Sequence, residues 1–309
     1  MTSPVRTLTQ RIVAAHDAAD QRAGLRLAWD LIERFPEARA QGTLWACRFR
    51  ALAGDAPEAL AVLTAGSDAG LWWAPGMLET EPDLAPVRAL PGFEGILSAS
   101  ATRWSQAHED ASPDVVARAP DGAGPFPLLV VLHLDAGSAD AWLSAADHGV
   151  AAALVRSSAL SSSDPGSRTW AEPMRTEADV EEALRRASSL VPYDDRVAFA
   201  GSGESGRAAA QLALRGRPVA PVGFASLAPI AFDATAEPLR AAASRGIRAW
   251  VGAGPPAPDG RATSSLVAAL ERAGVEVALE HVGAADADAE TPAELPMLLP
   301  GALAFLFQG

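Results

Sequence analysis

Apolar residues follow two different spacings along the chain. Up to about residue 98 they recur every three or four positions, as at Leu8, Ile12, Ala15 and Ala19, which is typical of amphipathic helices. From about residue 112, short apolar runs such as Leu128-Leu129-Val130-Val131-Leu132 alternate with helical stretches. This alternation predicts an α/β fold in which a mostly parallel sheet carries helices on both faces.

We therefore expect an all-helical domain over residues 1–98 and an α/β domain over residues 99–309. The strands are predicted at Asp114–Ala119, Pro127–His133, Val150–Val155, Arg196–Ala200, Val222–Leu227, Arg248–Gly252 and Val275–His281. The main helices of this second domain are predicted at Glu177–Leu190, Arg207–Leu214, Ser264–Ala273 and Pro292–Leu306. Because prolines interrupt the last helix, its start is left open as far as Pro300.

The N-terminal helices are short and are separated by breaks at Phe35-Pro36 and Gly54-Asp55. In this they resemble tetratricopeptide-type helix pairs, although no period of about 34 residues repeats. The segment also contains four tryptophans, Trp29, Trp45, Trp72 and Trp73. We interpret them as packing between helices. The alternative is an aromatic groove for a peptide partner, or for a lid over the second domain.

The amino-acid composition makes some classes of binding partner unfavourable. The net charge is −13, and arginine supplies all the fixed positive charge because the sequence contains no lysine. An acidic surface disfavours nucleic acid and anionic membranes, and the alanine and arginine bias suggests a bacterial genome rich in G and C. The single cysteine, Cys47, excludes an internal disulfide and suits a reducing compartment. With no signal peptide and no apolar run long enough to span a bilayer, we expect a cytoplasmic protein.

The strongest chemical signal is the run Gly201-Ser202-Gly203-Glu204-Ser205-Gly206 between a predicted strand and a predicted helix. It has the small-x-nucleophile-x-small form of the sharp turn that presents the nucleophile of α/β-hydrolases. Only the frame centred on Gly203 has small residues on both sides, because frames centred on Ser202 or Ser205 place Glu204 or Arg207 where a small residue is needed. A glycine therefore stands at the nucleophile position. The same glycines also fit the G-x-G-x-x-G spacing of phosphate-binding loops, but they lie far from the first βαβ unit, where that fingerprint is usual.

On these elements, residues 112–309 resemble the α/β-hydrolase superfamily, in particular its bacterial esterase and phospholipase/carboxylesterase-like branch. The resemblance implies a glycine after His133 to complete the oxyanion hole, and this chain has Leu134-Asp135 instead. It implies an acid after the strand that ends at Gly252, where Pro255-Pro256 stand. Asp259 comes later and is interpreted as a turn residue.

The resemblance also implies a histidine near Gly283, yet none follows His281, which we interpret as structural. The Ser-His-Asp triad acts as a unit. Three vacant positions therefore predict a degenerate triad.

We therefore predict no catalytic residue for serine hydrolysis, no metal and no cofactor. The crevice at the carboxyl ends of the strands is expected to bind a small ligand. Alternatively, the helical domain is expected to bind a protein partner. The predicted lining residues are Leu134, Asp135, Trp170, Ser202, Gly203 and Glu204; Trp170 is placed there by the resemblance. Two alternatives stay open: a cyclase, isomerase or lyase that moves protons with Asp135 or Glu204, and an esterase that uses a displaced serine, Ser202 or Ser205, with His133 as its base.

Overall fold

The structure is a computed structural model that describes residues 4–134, 140–161, 168–228, 235–254, 260–283 and 293–307. The chain forms two compact units. The first comprises the chain up to Ala111 and the segment that begins at Leu160, and the second comprises Ser112–Ala159 and the chain from Arg168 onward.

The described part of the first unit up to Ala111 consists of helices and their connections. Its helices are α1 (Pro4–Asp17), α2 (Gln21–Arg34), α3 (Arg39–Leu52), α4 (Ala56–Asp68), α5 (Pro75–Thr80), α6 (Ala85–Arg88) and α7 (Phe93–Asp110), with 3₁₀ turns at Pro36–Ala38 and Pro82–Leu84. Helix α7 runs through residue 98, where the sequence suggested a domain boundary. The Asp20 side chain caps α2 by accepting from the backbone N–H of Ala23 at 2.9 Å.

The tryptophans of this unit differ in their environment. Trp73 is fully buried, and its indole N–H donates to the Ala40 carbonyl at 2.7 Å. Trp45 stacks on Phe49 and lies under the Arg48 guanidinium at 4.0 Å. Trp29 is exposed. Helix packing thus accounts for Trp73 and for much of Trp45, but not for Trp29.

The second unit contains a seven-stranded sheet. Its strands are β1 (Asp114–Arg118), β2 (Phe126–His133), β3 (Ala151–Arg156), β4 (Tyr193–Ser202), β5 (Gly223–Leu227), β6 (Arg248–Ala253) and β7 (Glu276–His281). The order across the sheet is β1-β3-β2-β4-β5-β6-β7, and only the β1–β3 pair is antiparallel. All seven predicted strands are confirmed, with shifts of at most three residues at their ends.

Helices cover both faces of this sheet, as predicted. They are α8 (Pro173–Leu190), α9 (Gly203–Arg215), α10 (Ala236–Ser244), α11 (Gly260–Ala273) and α12 (Leu295–Phe307), with a 3₁₀ stretch at Asp140–His148. Three helices begin earlier than the sequence predicts. Helix α9 begins at Gly203, not near Arg207, because the turn itself already has helical hydrogen bonding. Helices α8 and α11 begin at Pro173 and Gly260, ahead of the predicted Glu177 and Ser264. The last helix begins at Leu295, within the range that the sequence left open, and contains Pro300.

Successive side chains along the central strands point to opposite faces of the sheet and so contribute to two separate hydrophobic cores. Leu128, Val130 and Phe199 pack with α8, α9, α10 and α11 on one face. Leu129, Val131, Ala198 and Ala200 face the other side, where they pack with the 3₁₀ stretch and α12. Because strand side chains alternate between faces, these assignments also determine the face of each polar residue at the strand ends.

Candidate functional site at the carboxyl edge of the sheet

The turn between β4 and α9 packs so tightly that two of its positions have no room for a side chain. A Cβ built on Gly201 would lie 2.6 Å from the Ser205 carbonyl carbon, and one built on Gly206 would lie 2.8 Å from the Gly201 carbonyl oxygen. Ser205 itself is fully buried. The close approach of strand and helix therefore explains why small residues occupy these positions.

Gly203 stands at the tip of this turn with a φ of +55°. This is the left-handed region, which residues with a Cβ rarely adopt. Among the described residues, no atom lies within 4 Å of the point where its Cβ would be. A side chain at this position would project into open space, as the nucleophile of a hydrolase elbow does. The described residues leave that space unfilled.

Glu204 connects the first turn of α9 to the loop that precedes α8. Its Oε1 accepts hydrogen bonds from the Thr169 hydroxyl and from the Trp170 backbone N–H, both at 2.6 Å. The indole N–H of Trp170 in turn donates to the His133 carbonyl at 3.1 Å. These contacts join α9, the 169–170 loop and the end of β2. We call Glu204, Thr169 and Trp170 the elbow clamp.

Leu134 and Trp170, two predicted lining residues, point largely into the core. Trp170 belongs to the cluster beneath α8 and α9, and Leu134 packs against that cluster while remaining half-buried. Both residues therefore contribute packing beside the elbow more than free surface. Asp135, another predicted lining residue, lies outside the described residues.

The alternative of a displaced serine depends on a hydroxyl paired with an imidazole. The Ser202 Oγ is buried and has no hydrogen-bond partner among the described residues, so it is not bonded to His133. Ser205 is fully buried under the turn, where a substrate has no access to it. The geometry thus disfavours both serines as nucleophiles.

The other two catalytic positions implied by the resemblance lie largely outside the described residues. Pro255, Pro256 and Asp259 fall there, as does the stretch after Gly283 up to residue 292. His281 is the last residue of β7 and is exposed. Within the described part of the chain, no three His, Cys, Asp or Glu side chains are grouped so that they could hold a metal ion. In that same part, no helix is long and apolar enough to cross a membrane.

Two surface cavities lie away from the elbow. One, of about 490 Å³, is lined by Met174, Glu177, Leu214, Arg217 and Glu237 among others, between α8, α9 and α10. The other, of about 450 Å³, lies at the amino ends of β4–β6 beside Arg196, Val222 and Arg248. Neither includes a predicted site residue. Ligands of open α/β sheets bind at the carboxyl ends of the strands, and the open space at Gly203 meets that condition.

Sequence reasoning did not identify two members of this region. Thr169 is part of the elbow clamp, and Arg156 is the last residue of β3, opposite His133 in the β2–β3 ladder. Thr169 lies 35 positions from Glu204, so no local pattern connects them. Arg156 could have been identified from the sequence, because a charged residue at the end of an apolar run marks the point where a buried strand reaches the carboxyl edge of the sheet.

No family model and no curated relative matches the chain. Among solved structures, an uncharacterized protein from Bacillus cereus ATCC 10987 is similar over 99% of both chains, with 19% identity and a TM-score of 0.52. A likeness at this identity concerns the fold alone, and it extends over both the helical and the α/β parts.

Two esterases align with lower scores. A carboxylesterase from Bacillus cereus covers 66% of this chain and 99% of its own, with 18% identity and a TM-score of 0.47. Brefeldin A esterase, described as a bacterial homologue of human hormone-sensitive lipase, covers 62% of this chain and 69% of its own, with 18% identity and a TM-score of 0.43. The strand order and the helices by themselves define an α/β fold with a mostly parallel seven-stranded sheet and an N-terminal helical region.

Proposed function

We propose that this chain is a hydrolase-like protein that binds a small ligand at the carboxyl edge of its sheet and does not hydrolyse it through a serine. The observation that carries the proposal is Gly203 at the tip of the elbow, with positive φ and open space where a nucleophilic side chain would stand. Nucleophilic catalysis needs a side-chain oxygen or sulfur activated by a neighbouring base. Gly203 supplies neither, and the buried serines on either side do not replace it.

The alternative of a proton-transferring enzyme receives no support from Glu204. A catalytic carboxylate must reach a proton on the substrate. The Glu204 Oε1 already accepts hydrogen bonds from Thr169 and Trp170, so only Oε2 could take such a proton. We assign Glu204 a structural role, because these two bonds fix its side chain to the 169–170 loop. A protein partner bound through the helical unit stays a second part of the proposal, and the exposed Trp29 is the residue we would test for it.

The first experiment tests for a serine nucleophile. Purified protein is treated with a fluorophosphonate probe and assayed with p-nitrophenyl butyrate, beside an active serine esterase. We expect neither labelling nor turnover above the buffer rate. Stoichiometric labelling that disappears in Ser202→Ala or Ser205→Ala would overturn the proposal and support a displaced serine.

The second experiment tests ligand binding at the elbow. A library of small metabolite-like compounds is screened by thermal shift, and hits are repeated with Gly203→Asn and Gly246→Asn. Asparagine tolerates positive φ better than most residues. Gly246 is a matched control because it also has positive φ, +70° against +55°, and open space around it. Hits are expected to weaken in Gly203→Asn only, and equal weakening in both variants would contradict a site at the elbow.

A further inference from the structure

Three polar residues lie side by side at the carboxyl ends of neighbouring strands. The β2–β3 ladder pairs His133 with Arg156. The β2–β4 ladder pairs Val131 with Ala200. Because the two strands are parallel, the same register places His133 beside Ser202, two residues further along each strand. Ser202, His133 and Arg156 therefore form a row across β4, β2 and β3, which we call the polar row.

All three side chains point to the same face of the sheet. They continue the alternation of Ala200 on β4, Val131 on β2 and Leu154 on β3, which pack together beneath the 3₁₀ stretch and α12. Adjacent strands are about 4.8 Å apart, so the row spans about 10 Å between its outer Cα atoms.

Two buried donors in this row have no hydrogen-bond acceptor among the described residues. They are the Ser202 hydroxyl and the Arg156 Nε–H, although this Nε does form an ion pair with the Asp114 Oδ2 at 3.5 Å. A buried donor without an acceptor costs about 1–3 kcal/mol, so such groups usually bind water, an ion or a ligand. Here they stand on either side of His133, which is itself buried.

The charge around the row favours an anion. The nearest carboxylate to Arg156 is Asp114 on β1, whose Oδ2 lies 3.5 Å from Nε, and Asp114 is 66% exposed, so that solvent screens its charge. Arg168 adds a second guanidinium, and burial together with the charge of Arg156 lowers the pKa of Arg168. Two further described carboxylates nearby keep their charge but already accept hydrogen bonds: Asp179 accepts from Ser157 and Ser158, and Glu204 is held in the elbow clamp.

We propose that the polar row binds an oxyanion, the carboxylate or phosphate group of a small molecule, through Arg156, His133 and Ser202. The inference rests on the proposed function, since it identifies the ligand of the same crevice as an anion. Arg156 supplies the charge and a directional N–H, and Ser202 supplies a hydroxyl donor. Gly203 is the residue after Ser202, so the open space at the elbow leaves room for the remainder of the ligand.

The chain offers a matched control for each donor. Arg248 begins β6 at the opposite edge of the sheet and pairs with Glu276 on β7 at 3.2 Å, and its exposed fraction is 29% against 31% for Arg156. Ser226 on β5 is also buried with an unpartnered hydroxyl, but it lies on the other face, against Gly206 of α9. Arg248→Gln and Ser226→Ala thus repeat the chemistry of Arg156→Gln and Ser202→Ala away from the row.

The experiment is a calorimetric titration of the full chain with sodium phosphate and with sodium acetate, at constant ionic strength, and with neutral acetamide as a third titrant. We expect a 1:1 isotherm for phosphate or acetate and none for acetamide. Arg156→Gln and Ser202→Ala should each weaken binding about tenfold, as expected for hydrogen bonds to charged groups. Both controls should stay within about twofold of the wild type. The stronger of the two anions indicates whether the ligand carries a phosphate or a carboxylate.

The absence of an isotherm in the wild type, or equal weakening in Arg156→Gln and Arg248→Gln, would overturn the inference. Circular dichroism of each variant shows whether weaker binding reflects lost contacts or lost folding. If Arg156→Gln does not fold, the affinity of Ser202→Ala tests the inference. The proposed function fails by a different result, fluorophosphonate labelling of Ser202 or Ser205. That result concerns the nucleophile and does not depend on anion binding.

Discussion

Gly203 combines a conformation that favours glycine with the position at which a hydrolase needs a reactive side chain. Its φ of +55° places it in the left-handed region, where a residue with a Cβ is strained by about 1–2 kcal/mol. A glycine therefore relieves backbone strain at this turn. Under the proposed function, the same glycine supplies no nucleophile.

We expect Gly203→Ser to lower the free energy of unfolding by about 1–2 kcal/mol without creating esterase activity. The new hydroxyl alone does not make a nucleophile, because the triad acts as a unit and also needs a base and an orienting acid. Urea unfolding and p-nitrophenyl butyrate turnover measure the two effects. Gly246→Ser serves as a control for the backbone strain alone. Turnover well above the buffer rate would mean that a base lies closer to the elbow than we infer.

Cys47 is a buried thiol in α3, and burial raises its pKa to about 12. The thiolate is the reactive form. Native protein at about pH 8 should therefore react with Ellman's reagent at least a hundredfold more slowly than protein in urea. Because the chain contains only this cysteine, the absorbance change has a single origin. Fast stoichiometric reaction of the native protein would contradict the burial of α3.

At the scale of elements, the elbow clamp shows how a helix can be fixed to a distant loop by one carboxylate. Glu204 is the second residue of α9, where a negative charge is also favoured by the helix dipole. Two donors from residues 169 and 170 converge on it. Loss of the carboxylate leaves both donors without their acceptor and frees the loop that adjoins β2.

We expect Glu204→Ala to destabilise the protein by about 1–3 kcal/mol, and Glu204→Gln by less, because the amide oxygen still accepts a hydrogen bond. Thermal unfolding measures both. Glu237→Ala is the control for the helix dipole, since Glu237 is also the second residue of its helix, α10, but is exposed. If Glu204→Ala and Glu237→Ala lower the free energy of unfolding equally, the elbow clamp contributes nothing to stability.

A second polar network connects α1, α3 and the 3₁₀ turn at Pro82–Leu84. Asp83 accepts from Arg48 at 2.8 Å and contacts the His16 Nε2 at 2.9 Å. Burial by itself would raise the pKa of Asp83. The hydrogen bonds from Arg48 and His16 outweigh burial, however, and hold that pKa below its ordinary value.

A carboxyl group with a lowered pKa stabilises the folded state above its unfolded pKa of about 3.9, and this contribution is lost as the pH falls through the folded-state value. The free energy of unfolding should therefore decrease less between about pH 6 and about pH 3 in Asp83→Asn than in the wild type. Urea unfolding at each pH tests this. Asp55→Asn, which removes a more exposed partner of Arg50, should keep the wild-type slope. Parallel slopes for all three proteins would show that the network does not carry the pH dependence.

At the scale of the whole molecule, the net charge is −13. Long-range repulsion therefore acts on any extended polyanion. The anion site that we propose would instead depend on the local field of Arg156 and Arg168, which a compact anion can enter.

We accordingly expect no binding to heparin or to double-stranded DNA at about 0.1–0.15 M salt, because the acidic surface repels both. Retention on a heparin column and a DNA mobility shift measure this, with a basic protein as the positive control. Retention that is lost at higher salt would reveal a basic surface that the overall charge conceals.

The periodicity of apolar residues was sufficient to predict the architecture. Near-continuous apolar runs such as β2 report burial on both faces, and the spacing of small residues from Gly201 to Gly206 indicated a tight turn before the contacts were known. The helical N-terminal segment and the seven strands follow from the same local signals. These features are determined by the sequence itself, because each depends on residues that are neighbours along the chain.

The functional arrangement required the tertiary structure. Ser202, His133 and Arg156 come from three strands that are far apart in sequence, and only the strand order and register place them in one row on one face. The contact of Glu204 with Thr169 and Trp170 depends on a loop folding back over α9. The local sequence pattern identifies which residues can form a strand. Which strands lie side by side depends on the packing of the whole sheet, and this lateral pairing brings polar residues from distant parts of the sequence together in one candidate site.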